Sequence, residues 1–401
     1  MEHTNFAKIL KEQRVAYGVS QERLAILSGI SCHYISNIET GKTVATQEKQ
    51  EHLLNALERL NPDRPLTLLI DYLRIRFPTT NAVHIIEDLM RIKMSYMCYE
   101  NYGLYSYTGQ YIHGNIVVMV SDDERKGILL ELKGQGCRQF ETYLSAQSRS
   151  WYDFLQDAIE MHGVVKRIDL AINDHTGILD IPELTRKCEN EECISVFRSY
   201  KSYRSGDLHY STLQEQHKGE MGNTLYIGSM KSDVYFCLYE KAYEQFVKNG
   251  IPLEDAPIRN RFEIRLKNER AVLAVDDLIA RQDAEQTAFS IINRYLRFVD
   301  KDTNSSKENW ELNPMWACFI ADKTGQLRLT TDPQPYSLDR TMNWLSRQVA
   351  PSLKSVMEID KRNGTSLVEN MLSLTTLSER HKKRVEQVTL PVEQMIIRKG
   401  D

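Results

Sequence analysis

Four short segments of the chain alternate apolar side chains with chemically reactive ones. In 166–173, Ile168, Leu170 and Ile172 oppose Arg167, Asp169 and Asn173. In 261–267, Phe262, Ile264 and Leu266 oppose Arg261, Glu263, Arg265 and Lys267. In 127–133, Ile128, Leu130 and Leu132 oppose Glu131 and Lys133; in 233–240, Val234, Phe236 and Leu238 oppose Tyr235, Cys237 and Tyr239. Period two belongs to a β-strand, whose successive side chains point to opposite faces. Brought into one sheet, the reactive faces would gather three carboxylates (Glu131, Asp169 and Glu263), several cations and tyrosines. Carboxylates with water suit Mg²⁺ or Mn²⁺, above all where phosphate oxygens complete the shell. Nearby cations suit a polyanion, and a tyrosine suits covalent attack on a phosphodiester. The same pattern also describes a salt-bridged sheet face open to solvent, which antiparallel sheets often have. The chain has 20 tyrosines, so spacing alone does not choose a nucleophile among them.

Between these strands, FRSYKSYRSGDLHYS (197–211) interleaves Arg198, Lys201, Arg204 and His209 with Tyr200, Tyr203 and Tyr210. Cations can follow phosphates while aromatic rings stack unpaired bases. A solvated hairpin with aromatic packing is the plainer reading.

The elements that must position these groups follow from periodicity. Phe6, Ile9, Leu10 and Val15 form the stripe of a first helix that stops at Gly18. Ser20 caps a second, SQERLAILS, ending at Gly29; Ser31 caps a third carrying Ile35 and Ile38. A fourth follows, with Leu53, Leu54, Leu57 and Leu60, and Asn61-Pro62-Asp63-Arg64-Pro65 reads as a linker. Two short capped helices joined by a tight turn match the helix-turn-helix pattern. Ser20-Gln21 and Ile38-Glu39-x-Gly41 resemble the Cro/C1-type repressor domain, which implies that the third helix enters a major groove. Gln21, Cys32, His33, Tyr34, Ser36 and Asn37 are then the DNA-facing candidates. A small bundle that binds protein is the alternative.

Beyond the linker, LIDYLRIRFP reads as a strand ending at Pro78, 81–94 as helix, 138–163 as helix, and 224–229 as a further strand. After about 275 the pattern turns helical, with amphipathic signals in NRYLRFV, MNWLSRQV and LVENMLSLTTL; HKKRVEQV reads as a solvated helix end. No internal repeat is evident. The expected fold is α+β: an all-α helix-turn-helix domain over 1–62, a mostly antiparallel sheet with packed helices over 66–275, and a helical region over 276–401.

Composition narrows the class. With 51 Lys+Arg against 55 Asp+Glu, the net charge of −4 argues against a general nucleic-acid coat but allows a local basic groove. No apolar run long enough for a membrane span appears, and no signal-peptide core opens the chain, so a cytoplasmic protein is expected. Seven cysteines without a CxxC pair suggest reduced, mostly buried thiols. No His-hydrophobic-His triplet exists, which excludes a three-histidine metal site.

Three segments carry a wider resemblance: KRIDLAIND (166–174), NTLYIGSMKSDVYFCLYEKAYEQ (223–245) and RNRFEIRLK (259–267). The chain resembles Rep_trans rolling-circle initiators, and more closely the MobT-type relaxases of Gram-positive conjugative transposons, which have a Cro-like head. The resemblance covers about 1–275. It implies that Tyr239, in Leu238-Tyr239-Glu240-Lys241, is the nucleophile, with Tyr235 and then Tyr226 as fallbacks. It implies that Asp169 and Glu263 are metal ligands, with Glu131 a weaker third, for Mg²⁺ or Mn²⁺. Arg167, Lys231, Lys241 and Arg265 become candidates to hold phosphates. Asn173 stands where relatives can have Asp. The implied reaction is metal-dependent transesterification at a transfer origin, giving a 5′-phosphotyrosyl bond and a free 3′-hydroxyl that the same site can reseal. Implied partners are double- and single-stranded DNA at that origin, a host helicase, coupling protein or accessory DNA-binding protein, and a second copy in a homodimer. A plasmid replication initiator shares the chemistry; a helix-turn-helix transcription regulator would need none of it.

Overall fold

In the computed structural model, which describes residues 2–17, 19–28, 30–59, 66–206, 220–321 and 329–398, the apolar stripes of the first four helices close on one another. These are α1 (Glu2–Ala16), α2 (Gln21–Ser28), α3 (Cys32–Glu39) and α4 (Gln47–Arg59). Their shared core is Leu10, Leu24, Ile35, Ile38, Leu53 and Leu57, with Val19, Ala45 and Ala56 filling between. The Ser31 hydroxyl accepts from the Tyr34 amide at 3.3 Å and so caps α3 as expected. Three stripe residues do not join: Ile9 is 37%, Val15 60% and Leu54 37% exposed, while Phe6 and Ala7 pack against the core from α1. The helix stops at Gly18 and Gly29, Leu60 and the 61–65 linker lie outside the described residues, as do His209 and Tyr210.

The chain divides into two compact units: 1–70 with 168–330, and 71–167 with 331–401. The strand β1 (Leu66–Phe77) runs from the first into the second, and its alternation ends before Pro78 as read.

The second unit pairs β1 with β5 (Ile128–Lys133), and continues through β4 (Ile116–Val120) and β3 (Gly109–His113) to β2 (Cys98–Glu100), all antiparallel. Strands β2 to β4 escape the sequence reading. The expected helix over 81–94 reduces to a short π-helical stretch at His84–Leu89 and a 3₁₀ turn at Met94–Tyr96. The single helix expected over 138–163 is two, α5 (Gln135–Ala146) and α6 (Trp151–Glu160). Ser148 takes φ 53°, and Ser150 and Asp153 form a reciprocal cap that starts α6 afresh. Phe140, Trp151 and Phe154 cluster between these helices. The unit ends with α12 (Asp339–Trp344), α13 (Ala350–Asn363), α14 (Leu367–Leu374), α15 (Glu379–Thr389) and α16 (Val392–Met395).

The first unit builds its sheet in the order β1, β6 (Val164–Asp174), β11 (Asn260–Lys267), β10 (Val234–Tyr239), β9 (Glu220–Ile227), β8 (Tyr200–Gly206). Helices α7 (Ile181–Glu189), α8 (Lys241–Asn249), α9 (Asn268–Arg281), α10 (Ala284–Tyr295) and α11 (Pro314–Ala321) complete it. Its apolar face carries Phe236, Leu238, Phe262 and Ile264, all buried, and Phe262 meets Trp316 and Phe319 of α11. NRYLRFV, read as helical, is helical only to Tyr295: Leu296–Phe298 is a short strand, β12, paired with β7 (Cys193–Ser195). Its partner strand lies about a hundred residues earlier, where no local periodicity can signal it.

With β7 and α8 of the first unit set aside, each unit repeats one order of elements: a strand, a helical segment, four antiparallel strands of which the last returns beside the first, then two helices. In the second unit these are β1, His84–Leu89, β2–β5, α5 and α6; in the first, β6, α7, β8–β11, α9 and α10. The sequences of the two runs are too different for the repeat to show without the strand order.

Candidate active site

The strand faces separate as the alternation requires. Antiparallel register sets Tyr235, Cys237 and Tyr239 of β10 opposite Arg265, Glu263 and Arg261 of β11, and Cys237 and Tyr239 opposite Tyr226 and Thr224 of β9. On the next strand, Asp169 meets Arg265 at 3.8 Å, and the Asn173 amide oxygen accepts from Arg261 Nε at 2.8 Å. One polar face therefore carries two tyrosines, two carboxylates and two guanidiniums on three neighbouring strands.

At its centre, the Tyr239 hydroxyl donates to Glu263 Oε1 at 2.9 Å, and Lys241 Nζ lies 3.4 Å from the same hydroxyl oxygen. Lys241 opens α8 and is anchored by Glu244 one turn on, at 2.7 Å. Burial would raise the Glu244 carboxyl, but Lys241 and Lys248 overcome it and hold it at about 2. Arg265 grips Glu263 Oε2 with Nε at 2.9 Å and Nη2 at 2.7 Å. Although burial opposes its charge, Glu263 raises its pKa well above the ordinary arginine value. The phenol thus donates its hydrogen bond to a carboxylate, with the Lys241 ammonium beside it to favour negative charge on its oxygen.

The two fallback tyrosines are less well placed. Tyr235 is 4% exposed, with Arg265 and Lys267 against its ring. Tyr226 is pushed up to about 12 by burial and by Cys237, which is itself pushed up to about 12 by burial and Glu263. Tyr239 is only half-buried.

Among the described residues no group of three His, Cys, Asp or Glu is gathered as metal ligands. Asp169 and Glu263 stand as a pair joined through Arg265, so the three-carboxylate set expected from the sequence is not assembled. Glu131 is occupied within the second unit: Tyr72 and Tyr105 donate to Oε1, the latter at 3.0 Å, and Lys133 reaches Oε2 at 2.8 Å. Burial pushes its pKa up, but these partners pull it below the usual carboxylate range. Arg167 also belongs to the second unit, with its guanidinium 4.1 Å from the Tyr72 ring centre. The two remaining carboxylates are hard oxygen donors, and Mg²⁺ is commonly held by one or two carboxylates with substrate phosphates supplying the rest. The donor set fits such an ion.

The nucleic-acid candidates fall on exposed elements. Tyr200, Lys201, Tyr203 and Arg204 form β8, an edge strand exposed along its whole length, and Arg198 precedes it, also exposed. Tyr203 meets Tyr226 edge-on at 5.9 Å, while Arg204 is paired with Glu220 at 2.6 Å. Lys231 sits in the exposed turn between β9 and β10. On α3, His33 is exposed and Cys32, Tyr34, Ser36 and Asn37 are partly so; Lys49 covers the Tyr34 ring at 4.4 Å. Gln21 is turned inward: its amide donates to Glu39 Oε2 at 2.7 Å, beside Arg14, which holds both Glu39 oxygens at 2.6 and 2.8 Å. Arg14, Glu39, Tyr72, Tyr105 and Glu244 are the residues the sequence reading missed. Only Glu244 had a local signal, three residues after Lys241 on a helix. Of the seven cysteines, all free, Cys137 and Cys237 are buried, four are partly exposed and Cys318 is exposed.

The chain is similar to two family models: Rep_trans, replication initiation factor, over residues 163–372, and the rolling circle replication initiation protein N-terminal domain over residues 67–157. It is 39% identical over 336 residues to a Bacillus subtilis (strain 168) protein described as "Putative DNA relaxase NicK", covering 84% of this chain and 93% of that one. A solved rolling circle replication initiator protein from Geobacillus stearothermophilus matches with a TM-score of 0.55 and 22% identity, over 67% of this chain and 100% of that chain. At that identity the likeness speaks for the fold. No helix among the described residues is long and apolar enough to cross a membrane.

Proposed function

The chain belongs to the Rep_trans family of replication initiation factors, and from that membership we propose that it is a DNA relaxase acting through Tyr239 at the transfer origin of a conjugative element. The observation that carries the reading is the Tyr239 hydroxyl bonded to Glu263 at 2.9 Å with Lys241 at 3.4 Å. In the proposed reaction, the Tyr239 oxygen gives its proton to Glu263 and attacks phosphorus in line. The P–O bond to the 3′ oxygen breaks, and that oxygen leaves as a 3′-hydroxyl after taking a proton. The product is a 5′-phosphotyrosyl bond, so one phosphodiester is exchanged for another and the step reverses without added energy. Lys241 and Arg265 bear on the phosphate and the developing phenolate. Asp169 and Glu263 would hold Mg²⁺ or Mn²⁺, which would neutralise charge on the phosphate oxygens.

The N-terminal helices, 1–62, serve in this proposal as a helix-turn-helix head of the MobT type that positions the enzyme on duplex DNA through α3. Strand β8 and Lys231 would follow the unpaired strand. Working partners would be a helicase, a coupling or accessory protein, and a second copy of the chain. Plasmid replication initiation is the second reading, favoured by the fold shared with the Geobacillus stearothermophilus initiator; the chemistry is common to both.

The test is a covalent protein–DNA adduct on a denaturing gel, with oligonucleotides tiling the presumed origin and Mg²⁺ or Mn²⁺ present. An adduct lost in Tyr239→Phe and with chelator supports the reading. Specific duplex binding without any adduct on any substrate sinks it in favour of a transcription regulator.

A further inference from the structure

In the second unit, the basic segment of α15 is docked rather than solvated along its whole length. Lys383 donates to the Met97 carbonyl, Gln387 Nε2 donates to the Tyr96 carbonyl at 3.0 Å, and Arg380 meets Glu100 at 2.8 Å. Between α15 and the sheet lies a cleft of about 350 Å³. Its floor comes from Cys98, Ile112, Val117 and Lys133, which the β2–β5 register sets on the same face as Glu131. In the duplicated order of elements, β5 corresponds to β11, which carries Glu263 in the first unit.

Three cations line the cleft: Lys133, Arg380 and Arg384. The first two are matched by Glu131 at 2.8 Å and Glu100 at 2.8 Å. Arg384, half-buried, has no ion pair or hydrogen bond among the described residues. The cleft therefore offers one uncompensated guanidinium, which matches the single charge of a phosphodiester better than the two of a terminal phosphate. The Tyr336 ring and the Asn115 amide share the wall. A cation for the phosphate beside a ring for the base is what single-stranded nucleic acid requires, and a cleft of about 350 Å³ is too small to take a duplex.

We propose that this cleft seats a single DNA strand, with Arg384 on a phosphodiester and Tyr336 beneath the adjoining base. The proposal rests on the relaxase reading and adds a strand-binding site carried by the second unit.

The test uses the full chain with Tyr239→Phe, so that no covalent step intervenes, and a fluorescent oligothymidine read by anisotropy over a salt series. Arg384→Ala is expected to weaken binding several-fold and to lower the slope of log affinity against log salt by about 0.7, one single-strand phosphate contact. Arg384→Glu weakens it further, and Arg384→Lys keeps most of the slope. Tyr336→Ala weakens binding by about tenfold with the slope unchanged. Because Arg384 has no ion pair or hydrogen bond among the described residues, the Arg384 changes leave folding intact, and a thermal melt checks this for every variant. Unchanged affinity and slope in both Arg384→Ala and Arg384→Glu overturn the proposal. So does an equal loss for thymidine monophosphate, which makes the cleft a nucleotide pocket. Adducts are read separately on protein with Tyr239 intact: adducts with a flat Arg384 series sink only the cleft, whereas an altered slope without adducts on any substrate sinks the relaxase reading and leaves strand binding standing.

Discussion

Replacing Tyr239 with phenylalanine separates chemistry from architecture. The substitution removes one oxygen, which donates to Glu263 at 2.9 Å and lies 3.4 Å from Lys241. A hydrogen bond to a charged group contributes about 1.5–3 kcal/mol. The half-exposed position of Tyr239 puts its share at the lower end, about 1–2 kcal/mol. Glu263 keeps both bonds from Arg265, so no buried charge is orphaned. The melting temperature should therefore fall by only a few degrees. Adduct formation should fall by far more, at least ~10³-fold, because the attacking atom itself is gone. The assay is the denaturing gel run beside a thermal melt of the same preparations. The matched controls, Tyr235→Phe and Tyr226→Phe, should retain adduct: one ring is buried under two cations, and the other phenol is pushed up to about 12. Wild-type adduct yield in Tyr239→Phe would refute the assignment, and a collapse of the melt would show Tyr239 to be structural first.

Asp169→Asn should abolish adduct formation at ordinary Mg²⁺ while leaving oligonucleotide binding within a few-fold, and a chelator should reproduce that loss in the wild type; equal activity with chelator removes the metal from the scheme. Glu39→Gln breaks a pair in which Glu39 is 2% and Arg14 12% exposed. It should destabilise the N-terminal bundle by about 3 kcal/mol and cut duplex affinity, with adduct formation on single strands preserved. Burial pushes the Glu141 carboxyl from its ordinary 4.5 up to about 7, against the pull of Arg138 and Trp151. The unfolded chain releases that proton first as pH rises. Stability is therefore full below about 4.5 and falls by roughly 3 kcal/mol by pH 7; denaturant titrations of wild type against Glu141→Gln at pH 5 and 7.5 should show this difference in slope, and parallel curves would contradict it.

Local order revealed much of this protein. Period two is a property of the extended backbone itself, so the reactive and apolar faces of β5, β6, β10 and β11 could be read without knowing their neighbours. Caps and helical stripes are equally local, and Ser31 and the Leu24, Ile35, Ile38 core follow from them. Strands β2 to β4 are short, and their pairing rather than their pattern defines them. The break at Ser148 is a turn inside an otherwise continuous apolar stripe.

What sequence order could not decide is which reactive group meets which. Gln21 reads as a DNA contact, yet it turns inward because Glu39, eighteen residues later, is brought within 2.7 Å. Glu131 reads as a weaker third ligand beside Asp169 and Glu263, and in the fold its oxygens are engaged by Tyr72, Tyr105 and Lys133. Choosing Tyr239 over Tyr235 by its contacts requires the β10–β11 register, since a slip of one residue would turn every side chain to the other face. Sequence order determined the chemical groups and the faces that bear them, because those depend on neighbours along the backbone. Tertiary pairing decided which carboxylate the tyrosine meets, because that contact joins residues 24 positions apart and is set by strand register.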